Sequence, residues 1–155
     1  MGVSTEPVRF GRDEDELYRE LYAGLPVLMP ELEHRDWPQP SGIVAGRRDG
    51  LALGWAYFFQ HPSEPDVAYI QWLLLSRERE RIMTGHTVQR GGTADEIDAL
   101  AGIFGGVAEQ ARKAGYASVQ WNDTEADLDQ KVAARLGAPV HEQLNAQMSV
   151  YRLAL

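Results

Sequence analysis

The 155-residue chain contains no cysteine. That excludes disulfides, thiolate metal ligands and a cysteine nucleophile, and it fits the cytoplasm as the expected compartment. Positive charge is scarce too: 15 Lys and Arg stand against 23 Asp and Glu, a net charge of −8. Broad nucleic-acid binding needs many cations to neutralise phosphates, so no nucleic-acid role is expected. An acidic surface suits a cationic or amine-bearing partner, and it serves solubility equally well. No apolar run is long enough to span a bilayer, and the start lacks the basic-then-apolar layout of a signal peptide. No membrane role is expected. His34, His61, His86 and His141 are scattered without ligand spacing, so no metal is expected either. With 44% hydrophobic residues, residues 1–155 suit a single domain with a real core.

The stretch from Gln89 to Asn122 carries the most information. Thr93 and Glu96 have capping-box spacing, which starts a helix at Thr93 just after Gly91 and Gly92. Ile97, Leu100, Ala101, Phe104, Ala108 and Ala111 recur at helical spacing and give one face to bury. Gly115 ends the helix as its left-handed cap. Free N–H groups and the positive dipole end make such a helix start a place for phosphate. The plainer reading is a turn into a capped helix. Ala117–Trp121 follows as a buried strand with Asn122 at its end.

Earlier in the chain, Val8-Arg9-Phe10 reads as a short strand. Asp13 and Glu16 open a helix to about Ala23, with a second helical stretch to about Glu33. His34–Gly42 is a proline-bearing loop whose Trp37 is placed to line an acceptor pocket. Ile43–Arg47 and Leu51–Gln60 flank Asp49-Gly50, a strong hairpin pattern. Ala68–Leu75 is the most apolar run and reads as a central strand buried on both faces. Gly102, Gly105 and Gly106 suit close packing of the long helix on the sheet. The element order is strand, helix, antiparallel strands, long helix, strand, helix, strand. It predicts an α+β fold, a mixed and mostly antiparallel sheet flanked by helices on both faces.

Gln89-x-x-Gly92-x-Ala94, the long helix, the strand ending in Asn122 and the helix closing in Leu136-Gly137 together resemble the GNAT superfamily of acyl-CoA-dependent N-acetyltransferases. The resemblance implies acetyl-CoA or another acyl-CoA as cofactor. It places the pyrophosphate on the loop of Gln89, Arg90, Gly91, Gly92, Thr93 and Ala94. It also implies that Asn122 contacts the pantetheine arm, and that the backbones of Leu74 and Leu75 pair with pantetheine amides where the strands Ala68–Leu75 and Ala117–Trp121 diverge.

Two features depart from that pattern. Thirteen residues, Ser76–Val88, separate the fourth strand from the loop. Such an insert reads as a lid or a hairpin over the cleft, and its arginines at 77, 79 and 81 would face one way on a strand. In addition, the helical position where the family carries a Tyr acid is Ala133. His86 is then the candidate base near the loop, and Tyr69 and Tyr151 are candidate proton donors if they face the cleft. The expected function is acyl transfer to a small-molecule amine acceptor, with a homodimer left open. Two alternatives remain: other chemistry on an acyl thioester, such as decarboxylation, and a non-catalytic domain that binds CoA, an acyl carrier or a protein partner.

Overall fold

Asp49 and Gly50 both take positive φ, 52° and 80°, the pair of left-handed residues that a tight two-residue hairpin requires. They join β2 (Gly42–Arg48) to β3 (Leu51–Gln60). The computed structural model describes residues 2–8, 38–76, 81–84, 93–124, 127–145 and 148–155. The other described strands are β1 (Ser4–Val8), β4 (Val67–Ser76), β5 (Arg81–Thr84), β6 (Ser118–Thr124), β7 (Val140–Asn145) and β8 (Met148–Ala154). The described helices are α1 (Ala94–Lys113) and α2 (Asp127–Leu136). The strands form one sheet in the order β1-β2-β3-β4-β6-β8-β7, with β5 paired to β4 off that path. Every strand pair is antiparallel except β4 with β6. The sheet is thus mixed and mostly antiparallel, and the fold is α+β.

Alternation along the strands sorts side chains by face. Phe58, Ile70, Trp72, Leu74, Val119, Trp121 and Tyr151 join Leu100, Phe104 and Val107 of α1 and Leu128 and Val132 of α2 in one core. The opposite face of the sheet buries Ile43, Ala45, Trp55, Leu73 and Leu75. Helix α1 starts as expected, with a complete capping box between Thr93 and Glu96. Gly115 is left-handed at φ 99°, and Tyr116 N–H closes back onto the Ala111 carbonyl at 3.1 Å. Two of the three helix glycines lie hard against β1 and the residue that leads into it. A Cβ on Gly102 would meet Val3 at 2.8 Å, and one on Gly106 would meet Thr5 Oγ1 at 2.7 Å.

Two expectations need correction. The first described strand is Ser4–Val8, which starts before the expected Val8–Phe10; Arg9 and Phe10 lie outside the described residues. It is an exposed edge strand held by backbone pairing to β2, so apolar content cannot reveal it. The last strand is a hairpin, because Val140–Asn145 pairs antiparallel with β8 while exposing much of its length. Part of the insert, Arg81–Thr84, is a strand that pairs antiparallel with β4, as the hairpin reading of the insert has it. The helical stretches expected between Asp13 and Glu33, together with Trp37, lie outside the described residues.

Candidate active site where two parallel strands part

Strands β4 and β6 run together only from Val67↔Ser118 to Tyr69↔Gln120. Beyond Gln120, β6 follows β8 as far as Thr124, while β4 follows β3 to Leu74. The two strands therefore part after Tyr69 and Gln120. Strand β5 folds back onto β4 from Leu73↔Thr84 to Ser76↔Arg81. Because β3 already holds one edge of β4 at Leu73 and Leu74, β5 must hold the edge on the β6 side. This leaves a gap bounded by residues 70–72 of β4 and residues 121–124 of β6.

That pairing bears on the expectation for Leu74 and Leu75. Their backbones pair with Met83 and Ile82 of the same chain, where the resemblance implied pantetheine. The physical reason is general: a central strand left half-paired presents backbone groups that a neighbouring segment satisfies. The insert is long enough to turn back and do so.

A cavity of about 420 Å³ adjoins the gap. By the alternation of the strands it lies on the sheet face away from α1 and α2. Phe59, His61, Tyr69, Gln120, Asn122, Glu142, Leu144 and Val150 line it, with Pro62 and Ser63 from the turn after β3. The Phe59 and Tyr69 rings lie 5.5 Å apart, and His61 meets Tyr69 edge-on at 6.5 Å. His61 Nδ1 accepts the Ser63 N–H at 3.1 Å, so the neutral ring carries its hydrogen on Nε2. Asn122 Oδ1 is buried and accepts no hydrogen bond.

Behind this wall Arg152 ties β8 to β6 and to the turn between β3 and β4. Its Nη2 donates to Gln120 Oε1 and to Glu64 Oε2, each at 2.6 Å. Its Nη1 reaches Glu64 Oε1 at 3.3 Å and its Nε reaches Gln120 Oε1 at 3.2 Å. The hydrogen bond from Arg152 holds the Glu64 carboxyl below its ordinary value, against an opposing desolvation effect. A depressed carboxylate contributes stability above its unfolded pKa and loses it as pH falls through the folded one. Wild-type thermal stability should therefore fall more steeply below about pH 4.5 than that of Glu64→Gln. Parallel slopes in thermal melts across that acid range would show that the ion pair contributes nothing. Tyr57 is set differently. Burial, with Tyr69 nearby, pushes its phenol up to about 12, and its hydroxyl donates to Gln71 Oε1 at 2.7 Å. It serves as a donor at neutral pH.

The structure brings Tyr69 and Asn122 to one cavity, and it sends Tyr151 elsewhere. Tyr151 is buried on the helix face, 6.1 Å from the Trp121 ring centroid, in the core that also holds Ala133. One face of the sheet cannot present both tyrosines. At the helix start, Thr93 N–H donates to Glu96 Oε1 at 2.9 Å and Glu96 N–H to Thr93 Oγ1 at 3.2 Å. The capping box therefore uses those two amides and leaves those of Ala94 and Asp95 outside it. Asp95 and Glu96 also add negative charge to this turn, which opposes an anion there. His86, Gln89, Arg90, Gly91 and Gly92 lie outside the described residues. Gln120, Phe59, His61, Glu142 and Leu144 were not expected at the site. Period-two alternation through Gln120 and Asn122 was the available clue, since both must share one face.

Several solved structures share this fold. A protein from Desulfovibrio desulfuricans assigned to the GNAT family as an acetyltransferase matches with a TM-score of 0.64 over 99% of each chain, at 13% identity. The fold is that of the GNAT acetyltransferases. A GNAT-fold neighbour from Salmonella typhimurium, solved with acetyl-CoA, has a TM-score of 0.60 at 9% identity, over 100% of this chain and 95% of that one. A ribosomal-protein-alanine N-acetyltransferase from Brucella melitensis has a TM-score of 0.60 at 11% identity, over 98% and 99%. No protein-family model matches the sequence, and no curated protein is similar to it. The likeness to GNAT structures therefore lies in the fold.

Proposed function

We propose that the chain is an acyl-CoA-dependent N-acyltransferase, using acetyl-CoA in the first instance, with a small amine as acceptor. The observation that carries this reading is the parting of β4 and β6 beside a cavity that Tyr69, Gln120 and Asn122 line. The gap suits an extended, amide-bearing arm, because β4 and β6 offer it strand edges. Ile70, Gln71 and Trp72 are the residues to hold that arm, with the Ala94 and Asp95 amides and the Gln89–Gly92 loop toward its phosphates. A thioester supplies an activated carbonyl: its carbon bonds the amine nitrogen as the C–S bond breaks, nitrogen releases one proton and the thiolate gains one.

The chain's residues divide by face. Tyr69 and Asn122 orient the amine on the cavity side. Tyr151 stands on the helix face with Ala133, where it takes the place of the missing acid toward the thiolate. His86 remains the candidate to accept the amine proton. A transition-state proton donor is worth roughly 10²–10⁴-fold. Tyr151→Phe should thus slow turnover at least tenfold while acyl-CoA affinity holds.

Absence of cysteine makes the test clean, since a thiol reagent then reads only released CoA. Release should require both acetyl-CoA and an amine. Thioester loss without amine would replace this reading with hydrolytic or decarboxylating chemistry. Binding of CoA without any turnover would favour the second reading, a binding domain. That reading has an observation of its own: β5 pairs the β4 edge from Leu73 to Ser76.

A further inference from the structure

We infer that Gln71 donates a hydrogen bond from Nε2 to the acyl carbonyl oxygen, and that Tyr57 is the positioning residue that turns this donor toward the gap. This rests on the proposed transfer reading for turnover, but not for the contact itself. The pairing of β4 with β6 ends at Tyr69 and its pairing with β5 begins at Leu73, so Gln71 is the middle of the open stretch 70–72. On its other side Gln71 faces Tyr57 of β3. The Tyr57 hydroxyl donates to Gln71 Oε1 at 2.7 Å. That is the ordinary length of an O–H···O bond, whereas N–H···O bonds centre near about 2.9–3.0 Å. The atom facing the phenol is thus the oxygen of the amide. An amide group is planar, so turning Oε1 toward β3 turns Nε2 away from it, and the other side of β4 at this residue is the gap. Nε2 donates to nothing among the described residues, and it is not sealed from solvent. One end of the amide is fixed, and its two N–H groups are unused.

Such a donor suits the charge that acyl transfer creates. As the amine nitrogen bonds the carbonyl carbon, the C=O π pair moves onto oxygen. When that pair returns, the C–S bond breaks and its electrons leave with sulfur. Nitrogen gives up one proton and the thiolate gains one. Gln71 passes no proton; it holds the oxygen while the charge is there, as a preorganised N–H does in a water-poor site. Trp55 and Leu73, the next cross-strand pair on the same face, are 0% and 4% exposed. Apolar neighbours of this kind strengthen a hydrogen bond. The orientation also survives changes of pH. Burial, with Tyr69 nearby, pushes the Tyr57 phenol up to about 12, so it goes on donating to Oε1 at any working pH. A carboxylate in place of the amide would accept from Tyr57 equally well and would have no N–H to give.

The test has a spectroscopic arm and a turnover arm, both on the full chain. In infrared spectra of bound, carbon-13-labelled acetyl-CoA, the carbonyl stretch should lie lower in wild type than in Gln71→Leu, because a hydrogen bond weakens C=O. In thiol release, Gln71→Leu should lower kcat by about 10²–10³-fold, the usual loss of one such donor. Its acetyl-CoA affinity should stay within about threefold of wild type, the split expected of a contact that strengthens in the transition state. Gln71→Glu should lose as much, since it keeps the shape and removes the donor. Tyr57→Phe should lower kcat about three- to tenfold, the loss of one orienting hydrogen bond. It should cost nothing further in the Gln71→Leu background, whereas a merely structural tyrosine would add its loss there.

A carbonyl band that moves with Gln71, in a chain that turns over no amine, would uphold the contact and overturn the transfer reading. Unchanged kcat and an unmoved band in Gln71→Leu would overturn the inference while leaving acyl transfer intact. Turnover kept or raised in Gln71→Glu would also overturn it, and that variant decides if Gln71→Leu does not fold. Additive losses in the double variant would overturn the part assigned to Tyr57.

Discussion

Replacing Gly54 with valine should cost the fold more than about 3 kcal/mol, among the largest effects of any single substitution. Gly54 faces Leu74 across the β3–β4 ladder. A Cβ there would sit 2.3 Å from the Leu73 carbonyl oxygen and 3.0 Å from the Leu74 Cα. Both obstacles are backbone, so no rotamer change can relieve them, and the strands must separate. Separation would propagate to residues 70–72, which form one side of the gap, so amine binding should fall together with stability. Gly105→Ala is the control. Gly105 is exposed in the middle of α1, and its Cβ would meet nothing within 4 Å. That change should stabilise the chain by about 0.5–1 kcal/mol, the helical cost of glycine relative to alanine. Urea denaturation of the two variants decides the matter. Similar midpoints for both would show that β3 and β4 do not approach as described.

Trp121→Ala should destabilise by about 3–5 kcal/mol. Trp121 is 1% exposed and stands between Gln120 and Asn122 on β6. Its indole meets Phe104 of α1 at 4.9 Å and Tyr151 of β8 at 6.1 Å. It is therefore the rivet that holds the diverging strand to the helix layer while its two neighbours face the cavity. Truncation leaves a void that the α1 and β8 packing can only partly refill. Trp121→Phe keeps most of the ring contact and should lose less than half as much. If alanine and phenylalanine give equal, small losses in urea midpoint, the indole does not anchor β6.

How far the sequence led depended on whether a feature was local. The capping box at Thr93 and Glu96, the left-handed Gly115 and the Asp49-Gly50 turn are set by neighbours within a few residues, and all three stand as read. The buried strand ending near Asn122 was legible because Val119 and Trp121 alternate with polar neighbours. Strands β1 and β7 were misplaced or missed for a common reason. They join the sheet through backbone pairing at its edges, and their side chains carry little of the apolar pattern that marks a core strand. The cavity was harder still. Tyr69 and Asn122 could be singled out as polar residues at strand positions, but their meeting depends on the parallel register Tyr69↔Gln120. Glu142, Val150 and Arg152 come to the same face only through the β6–β8–β7 pairing. Tyr151 shows the converse. It neighbours Val150 and Arg152 in sequence, yet alternation turns it to the opposite face.

The central claim is that donor and amine meet where β4 and β6 part. A crystal structure of the chain with CoA and a small primary amine tests it most directly. The account expects the thiol arm between residues 70–72 and residues 121–124, with the amine in the cavity that Tyr69 and Asn122 line. Finding CoA bound elsewhere, with the gap closed and the cavity empty at saturating amine, would contradict it.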